Sequence, residues 1–350
     1  MAKQVKDTSS YQQLKQDIRD KQPKRLYIFH GEETFLLHHY LDQLRRLLLD
    51  EVTEAFNSHR LNSETFDIRT LADAVEGLPV MAEHTYVQVD DIDLFKRSED
   101  EREKIIDLIS DIPEYCTVVF TYETTQWHPD KRLKKLWDAV ESNAFVVEFA
   151  KQDHRSLIAW ITRHFAAEKK TITPDLCTYL IDITGGTMTA LAGEISKIAS
   201  YSEADAITKS DIDAVTEPVL DAVAFQMTDF LSRGEYGAAF AKLQQLLKMQ
   251  EDPLKILGAV GAHFRKLSAA RTLLDSGKTY ADLMRLYTPP MADYAAKKTM
   301  QAAKSFSVAF CEKATLLVME TDRNIKTSLD TSERLLELLI LQLSQEARNG

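Results

Sequence analysis

The sequence predicts a three-layer α/β domain followed by two all-α domains. Short apolar runs alternate with helix-like segments as far as Phe149, and beyond it only the helical spacing of apolar residues remains. Strands that alternate with helices favour a parallel sheet with crossover helices on both faces. We therefore expect the α/β domain over residues 1–150, a small helical domain over 151–215 and a second helical domain over 216–350.

The elements of the first domain are predicted in chain order from the spacing of apolar residues. Residues 1–25 carry more basic than acidic side chains and indicate a lead-in helix or arm. The apolar run Leu26–His30 ends at Gly31 and predicts a buried strand, and leucines every three or four residues over 36–48 predict a helix. Further strands are predicted at 86–89, 117–120 and 145–149, with helix-like segments around 70–77, 99–110 and 130–141.

The two later domains are predicted to be helical throughout. Apolar residues recur at spacings of three and four over 157–165, 191–198, 236–247 and 257–267, and two long helical patterns complete the chain. Gly185 indicates a helix stop, because glycine readily adopts the left-handed conformation that ends many helices. Thr208 with Asp211 three residues later resembles a capping box and predicts the start of another helix.

Size and composition exclude several classes of protein. The chain has 350 residues, of which 44% are apolar and 28% charged, as in ordinary soluble proteins of two or three domains. Its apolar runs are too short to cross a bilayer and no secretion signal is apparent, so we expect a cytoplasmic protein with no membrane partner. The three cysteines, Cys116, Cys177 and Cys311, form neither a zinc pattern nor a disulfide framework. We expect no metal site and no cofactor.

A net charge of −11 disfavours tight binding of nucleic acid by the chain alone, because phosphates repel an acidic protein. One stretch is basic nevertheless, and Phe264 and three tyrosines are interleaved with its charges. The stretch fits a surface that faces DNA or an acidic neighbouring subunit, and it equally fits a solvated helical face above a core. Its basic residues between positions 260 and 305 are Arg265, Lys266, Arg271, Lys278, Arg285, Lys297, Lys298 and Lys304. The candidates for such a surface are Arg265, Lys266, Arg271, Lys297 and Lys298.

Strand, glycine and helix follow one another from residue 26 in the order of a phosphate-binding loop, but the chemistry of such a loop is missing. A working loop reads G-x-x-x-x-G-K-[ST], in which the backbone surrounds the phosphates, the Lys neutralises them and the hydroxyl holds magnesium. Here the run Gly31–His38 lacks the second glycine and the Lys, and Glu32 and Glu33 stand where phosphate charge would lie. Like charges repel strongly in a partly desolvated site, so we expect no nucleotide binding.

Asp90 and Asp91 follow the strand predicted at 86–89 and resemble the acidic tip that positions magnesium in nucleoside triphosphatases. Without a phosphate loop the simpler interpretation is favoured, in which these acids terminate a strand at the surface. No other group of residues has the pattern of a catalytic site. We therefore expect no catalytic residues and no intrinsic enzymatic activity.

Several stretches of the chain match one protein family in order and spacing. They include the opening strand with Gly31, Glu32 and Glu33 after it, and the segment from Leu78 to Val89. The helical part adds Trp160, Gly185, Leu191, Glu194, Tyr201, Phe225, Leu243, Pro253, Phe264, Arg265, Lys266, Tyr294, Asp322 and Arg323. In these residues the chain resembles the delta subunit family of bacterial DNA polymerase III. The resemblance implies an AAA+-like α/β domain with a degenerate P-loop, a helical lid and a C-terminal helical collar domain.

The resemblance also implies a non-catalytic role in a clamp loader. In that family the delta subunit joins gamma or tau ATPase subunits and delta prime, binds the sliding clamp (the beta subunit) and helps to open it for loading onto primed DNA. DNA would be met only within the assembled loader. Two alternatives stay open. An active ATPase of the same fold is disfavoured by the missing Lys, and a stand-alone DNA-binding or regulatory protein is disfavoured by the acidic charge.

The family pattern indicates where the clamp would be bound. Relatives usually present two adjacent large apolar residues at a turn, often Leu followed by Phe, and the matching positions here hold Val80 and Met81 with Leu78 and Pro79 before them. Pro79 would help to fix the turn because its φ angle is restrained. Residue types alone also allow the alternative that Leu78, Val80 and Met81 pack inward as core between a helix and a strand.

Overall fold

A computed structural model describes residues 8–248, 250–288 and 290–349. The chain divides into two compact units, Met1–Gln152 and Asp153–Gly350. This division lies beside the domain boundary predicted at residue 150. The boundary predicted near residue 215 falls inside the second unit and stays a prediction.

The first unit is built on a five-stranded sheet. Its strands are β1 (Leu26–His30), β2 (Ser58–Leu61), β3 (Thr85–Asp90), β4 (Cys116–Tyr122) and β5 (Phe145–Glu148). Their order across the sheet is β2-β3-β4-β1-β5, and every neighbouring pair is parallel. The prediction of a parallel sheet is therefore confirmed.

Strand β2 is missing from the sequence prediction for a physical reason. It lies at the edge of the sheet and reads Ser-His-Arg-Leu, and only Leu61 is buried. An edge strand can satisfy its pairing on one side while most of its side chains stay in contact with water. The continuous apolar run that signals a buried parallel strand therefore does not occur there.

Helices connect the strands of the first unit. They are α1 (Thr8–Arg19), α2 (Thr34–Leu48), α3 (Glu54–Asn57), α4 (Ile68–Glu76), a 3-10 helix (Leu94–Lys96), α5 (Glu99–Ser110) and α6 (Lys134–Asn143). Helix α1 corresponds to the predicted lead-in helix, of which residues 1–7 lie outside the described part of the chain. Helices α2, α4, α5 and α6 coincide with predicted helical segments, whereas the single turn α3 does not.

Side chains of β1 contribute to a core on each face of the sheet. Leu26 and Ile28 belong to a buried cluster that includes residues of α4, α5 and α6. Phe29 points to the opposite face, where its ring and that of Tyr40 in α2 lie 5.0 and 6.0 Å from the ring of Phe149. Successive side chains of a strand point to opposite faces, so a strand covered on both faces is apolar throughout. The predicted three-layer arrangement is confirmed.

The described part of the second unit is helical, apart from an isolated β-bridge between Thr171 and Ala206. Its first helices are α7 (His154–Ala167), α8 (Pro174–Thr184), α9 (Met188–Tyr201) and α10 (Lys209–Val215). They are followed by α11 (Leu220–Ser232), α12 (Tyr236–Lys248), α13 (Pro253–Asp275), α14 (Tyr280–Arg285), α15 (Asp293–Ala303), α16 (Val308–Thr327) and α17 (Ser332–Asn349).

Two local predictions for the second unit are confirmed. Gly185 ends α8 with a left-handed φ of 78°, and the side chains of Thr208 and Asp211 form a capping box at the start of α10. A single large apolar cluster extends through α11 to α17, from Val223 to Leu343. The helical spacing found in the sequence therefore reflects burial of one face of each helix.

Candidate functional site

The loop after β1 has the layout of a phosphate-binding loop but is tied to the chain's own backbone. Gly31 has a φ of 134°, and a Cβ at this position would lie 2.3 Å from the carbonyl oxygen of Phe149. The N–H of Glu33 donates to that same oxygen at 2.9 Å, and the N–H of Phe149 donates to the carbonyl of His30 at 2.7 Å. The backbone after β5 thus adjoins the loop where a working enzyme keeps room and N–H groups for phosphate.

The charge of this loop is also unsuited to phosphate. The side chain of Glu33 is buried, and burial raises the pKa of its carboxyl, although a hydrogen bond from the backbone of Phe35 and the charge of Lys151 act in the opposite direction. A buried carboxyl group where phosphate charge would lie, in a loop that lacks the usual Lys, opposes the approach of an anion. The geometry and the charge therefore both support the predicted lack of nucleotide binding.

Asp90 is occupied by hydrogen bonds within the sheet. Its carboxylate accepts from Arg60 Nε at 2.5 Å, from Gln88 Nε2 at 2.7 Å and from Thr121 Oγ1 at 2.8 Å. Arg60 lies on the edge strand β2, so Asp90 links the edge of the sheet to its centre. This use of Asp90 agrees with the interpretation that it terminates a strand rather than positions magnesium.

Asp91 organises the loop that follows β4. Its carboxylate accepts from the backbone N–H groups of Glu123, Thr124 and Thr125 at 2.9–3.0 Å and from the Thr124 hydroxyl at 2.8 Å. Partial burial favours the neutral carboxyl, but these hydrogen bonds to the charged form outweigh it and hold the pKa of Asp91 below its ordinary value. Asp91 therefore also has a structural task.

The described residues provide neither a cluster of metal ligands nor a cysteine with a lowered pKa. No group of three or more His, Cys, Asp or Glu side chains there could hold a metal ion. Cys116, Cys177 and Cys311 are buried and unpaired, and burial raises the pKa of Cys116 and of Cys311 to about 11, which disfavours a reactive thiolate. None of the helices in the described parts of the chain is long and apolar enough to span a membrane.

The three apolar residues predicted for clamp contact lie in an exposed turn, residues 77–84, between α4 and β3. Leu78 is 76% exposed, Val80 49% and Met81 91%. The alternative that they pack inward as core is therefore wrong. Apolar side chains held this far out of the core, with Pro79 among them, are available to a partner protein.

Asn57 holds this turn from below. Its side chain is fully buried at the end of α3. Its Oδ1 accepts from the N–H of Val80 at 2.6 Å, and its Nδ2 donates to the carbonyl of Val80 at 2.9 Å and to the carbonyl of Thr53 at 2.8 Å. One amide thus pairs with both backbone groups of Val80, as a neighbouring strand would. Together with the left-handed φ of 55° at Met81, this gives the turn a defined shape.

The sequence analysis does not identify Asn57. Its partner Val80 is 23 residues away, and no local pattern marks an asparagine that bonds to so distant a backbone. The one available signal is an amide side chain placed directly before a strand, and that signal is common in ordinary turns.

Three of the five basic candidates are neutralised by neighbouring acids. Lys298 pairs with Asp182 at 2.7 Å and also lies 4.0 Å from the ring centre of Phe225. Lys297 pairs with Asp293 at 2.7 Å. Arg271 pairs with Asp275 one helical turn along α13.

Arg265 and Lys266 differ from these three. Within the described chain neither has an acidic partner within ion-pair distance. Arg265 is exposed and lines an open groove of about 380 Å³ with Leu286 and Thr315. The five candidates therefore do not act as one uniform basic face, and Arg265 and Lys266 are the two best suited to meet an anion.

The aromatic residues near these charges are mostly engaged. Phe264 is fully buried, and the ring of Tyr294 stacks on that of His154 with centroids 3.7 Å apart. The hydroxyl of Tyr294 also bonds to Asp182 at 3.3 Å. These contacts leave neither ring free for base stacking, which favours the interpretation of a solvated helical face at these positions.

A second group of exposed apolar side chains lies on the two C-terminal helices. Leu316 and Met319 of α16 are 53% and 62% exposed, and Leu338 and Leu341 of α17 are 42% and 53% exposed. Each pair is spaced by three residues and so lies on one face of its helix. The buried residues of both helices belong to the core of the second unit, so these four are left for another surface.

Comparison with known proteins identifies the same relatives in both units. The family model described as DNA polymerase III, delta subunit, matches residues 27–150, and the model of the C-terminal domain of that subunit matches residues 221–343. DNA polymerase III subunit delta of Bacillus subtilis is 25% identical over 332 residues, which cover 91% of this chain and 92% of the relative. The probable DNA polymerase III subunit delta of Aquifex aeolicus is 22% identical over 274 residues, or 76% of each chain.

Among solved structures, a Bacillus subtilis DNA clamp loader delta protein has a similar fold. The likeness has a TM-score of 0.66 at 20% identity and covers 95% of this chain and 99% of that protein. Both units are therefore included in the shared fold.

Proposed function

The chain belongs to the delta subunit family of DNA polymerase III, and from this premise we propose that it binds the sliding clamp through the 77–84 turn and helps to open it. The observation that carries the proposal is an exposed apolar turn held in a defined shape by a buried side chain. Leu78, Val80 and Met81 would enter an apolar pocket on the clamp, and Asn57 would keep the turn ready for it.

The energetics of such a contact are sufficient. Burial of a Val or Met side chain contributes about 1.5–3 kcal/mol, and a few central apolar anchors commonly dominate an interface. Because Asn57 pairs with both backbone groups of Val80 before binding, little conformational entropy remains to be lost when the turn is bound. Met81 can adapt to an irregular pocket, which offsets the lack of the Phe found in relatives.

The second part of the proposal is that the chain hydrolyses no ATP. The loop at Gly31 is tied to Phe149, the Lys is missing, and Asp90 and Asp91 have other hydrogen-bond partners. The energy of ATP would be supplied by gamma or tau ATPase subunits of the same loader. The chain would share the DNA polymerase III holoenzyme's activity by association alone.

The proposed assembly includes the gamma or tau subunits and delta prime. Residues 151–215 would act as the lid and residues 216–350 as the collar. The exposed faces of α16 and α17, with Leu316 and Leu341 among their residues, fit contact with neighbouring subunits. Arg265 and Lys266 would meet primed DNA, or an acidic subunit, only within the assembled loader, which acts in the cytoplasm.

Replacement of both turn anchors tests the proposal. The Val80→Ala/Met81→Ala variant should bind purified clamp at least about tenfold more weakly, or about 1.4 kcal/mol, and should unfold at the same temperature, because both side chains are exposed. Leu254→Ala, which removes an exposed leucine in the second unit, is the control. Equal clamp affinity of the double variant and the parent chain would contradict the proposal.

Two further measurements address the alternatives. Labelled ATP bound by the isolated chain would favour an active ATPase. Tight, salt-sensitive binding of DNA by the isolated chain would favour a stand-alone DNA-binding protein. The proposal expects neither.

A further inference from the structure

Among the described residues of the first unit, exposed large apolar side chains are confined to two short segments. They are Val52, Phe56, Leu78, Val80 and Met81, and Val52 and Phe56 are 80% and 63% exposed. Single exposed apolar residues scattered over a surface are ordinary, whereas a group in one place marks an interaction site. Three of the five form the 77–84 turn, and the other two lie just before β2.

The two segments are neighbours in space. Strand β2 pairs with β3 in parallel, with Ser58 opposite Tyr86. The residues that lead into the two strands therefore lie side by side at the amino ends of these strands. Asn57, which follows Phe56 directly, bonds to both backbone groups of Val80. The segment with Phe56 and the turn with Val80 are thus joined by a buried amide.

The segment 50–57 is itself well held. The Asp50 carboxylate accepts from the backbone N–H of Val52 at 3.0 Å and from both the N–H and the hydroxyl of Thr53 at 2.8 Å. The N–H of Phe56 donates to the carbonyl of Thr53 at 3.1 Å. Val52 therefore projects from an ordered turn directly before α3, and Phe56 projects from α3 itself.

We propose that Val52 and Phe56 are a second anchor for the same partner that the 77–84 turn binds. The inference rests on the proposed function and deepens it, because it makes the clamp contact a two-segment surface. The occupant is the clamp rather than a second copy of the chain, because the second anchor is continuous with the turn through Asn57. Exposed carboxylates at Glu51 and Glu83 flank the two segments, so the clamp's apolar site should have basic groups at its rim.

Substitution at the second anchor tests this inference without touching the turn. In the full chain, Val52→Ser/Phe56→Ser should weaken binding of purified clamp at least about tenfold and leave the unfolding temperature unchanged. Leu254→Ser, another exposed apolar position, is the matched control. A photo-crosslinking residue placed at position 56 should couple to the clamp, which shows direct contact rather than an effect passed through the turn.

The possible results separate the two proposals. Loss of affinity in both the Val52/Phe56 and the Val80/Met81 double variants, with crosslinking from position 56, supports a two-segment surface. Loss only in the Val80/Met81 variant overturns the second anchor and leaves the proposed function standing. Full affinity in both variants overturns both. Self-association of the parent chain that Val52→Ser/Phe56→Ser abolishes, with unchanged clamp binding, would assign the segment to a second copy instead.

Discussion

The amino and carboxyl ends of the strands in the first unit differ in what they offer to a partner. Parallel α/β sheets usually bind ligands beyond the carboxyl ends of their strands, and here Gly31, Asp90 and Asp91 lie at those ends. All three are involved in contacts within the protein. The amino ends of β2 and β3 carry the exposed apolar side chains of Phe56 and Met81. The carboxyl ends of the strands are thus closed by contacts within the protein, whereas exposed apolar side chains lie at the amino ends.

The contacts at Gly31 add to what the sequence indicates there. The missing Lys is an absence in the sequence, whereas the hydrogen bond from the Glu33 N–H to the Phe149 carbonyl shows that the loop has a structural role. At the amino ends of β2 and β3, by contrast, the buried polar side chain of Asn57 holds an exposed turn in place.

The largest expected effect on stability follows from disturbing the contact between Gly31 and Phe149 at the carboxyl ends of the strands. Gly31→Ala should lower the free energy of unfolding by roughly 3 kcal/mol, because the added Cβ meets the Phe149 backbone and the φ of 134° disfavours any side chain. Chemical denaturation of the variant measures this change. Gly193→Ala is the control, because a Cβ there meets nothing within 4 Å. A Gly31→Ala protein as stable as the parent would show that the close contact between Gly31 and the Phe149 backbone does not hold the loop after β1.

The second largest expected effect follows from removing the Asn57 side chain, which holds the 77–84 turn at the amino ends of the strands. Asn57→Ala should lower the free energy of unfolding by about 2 kcal/mol, because it leaves the backbone groups of Val80 without their partner. It should also weaken clamp binding at least about fivefold, because the freed turn must be ordered on binding.

The Asn57 prediction has its own control and its own contrary outcome. Asn143→Ala removes an exposed asparagine at the end of α6 and should change neither quantity. If Asn57→Ala loses stability and keeps its full clamp affinity, the asparagine supports the fold but does not prepare the turn.

A more modest effect tests the structural use of Asp91. Asp91→Asn should cost about 1 kcal/mol at neutral pH, because the amide oxygen accepts the three backbone hydrogen bonds more weakly than a carboxylate and the amide nitrogen cannot accept from the Thr124 hydroxyl. The pKa of Asp91 is below its ordinary value of 3.8 in the folded chain. Its stabilising contribution is therefore complete above that value and is lost as the pH falls through the folded pKa. Denaturation curves at several pH values should show the variant and parent converging in acid, and a constant difference would contradict the assignment.

The least change is expected at Glu33. Burial raises the pKa of this carboxyl above its ordinary value of 4.5, so the folded chain holds the proton more tightly and loses stability as the pH rises from that value through the folded pKa. Glu33→Gln removes this loss and should be more stable than the parent at neutral pH by less than about 1 kcal/mol. Comparison of the two proteins at pH 4 and pH 7 measures it. ATP binding should stay absent, because the Lys is still missing.

The fold can be predicted from the sequence wherever burial is complete. Strand β1, with apolar residues on both faces, is predicted with the bounds that the structure shows, from Leu26 to His30. Strand β2 and helix α3 escape prediction because their side chains are mostly polar or exposed, and pairing in space rather than sequence pattern defines them.

The site can be predicted only in part. Residue types alone leave Leu78, Val80 and Met81 between core and surface, and the resemblance to a family is needed to favour contact with a partner. Asn57 depends on a backbone 23 residues away, and Val52 with Phe56 gain meaning only when β2 is placed beside β3. Such relationships are set by tertiary structure, so no local pattern could show them.

We propose that the partner binds at the amino ends of the strands and that nucleotide does not bind at their carboxyl ends. The affinity of the isolated chain for purified clamp, measured with and without ATP and magnesium, tests this proposal. We expect the same dissociation constant in both conditions, because we propose that the carboxyl ends of the strands bind no nucleotide, and Asn57 already holds the turn at the amino ends. Clamp binding that requires ATP, or whose dissociation constant changes severalfold when ATP is added, would contradict it. Such a result would show that nucleotide binds at the carboxyl ends of the strands and alters the affinity of the 77–84 turn for the clamp.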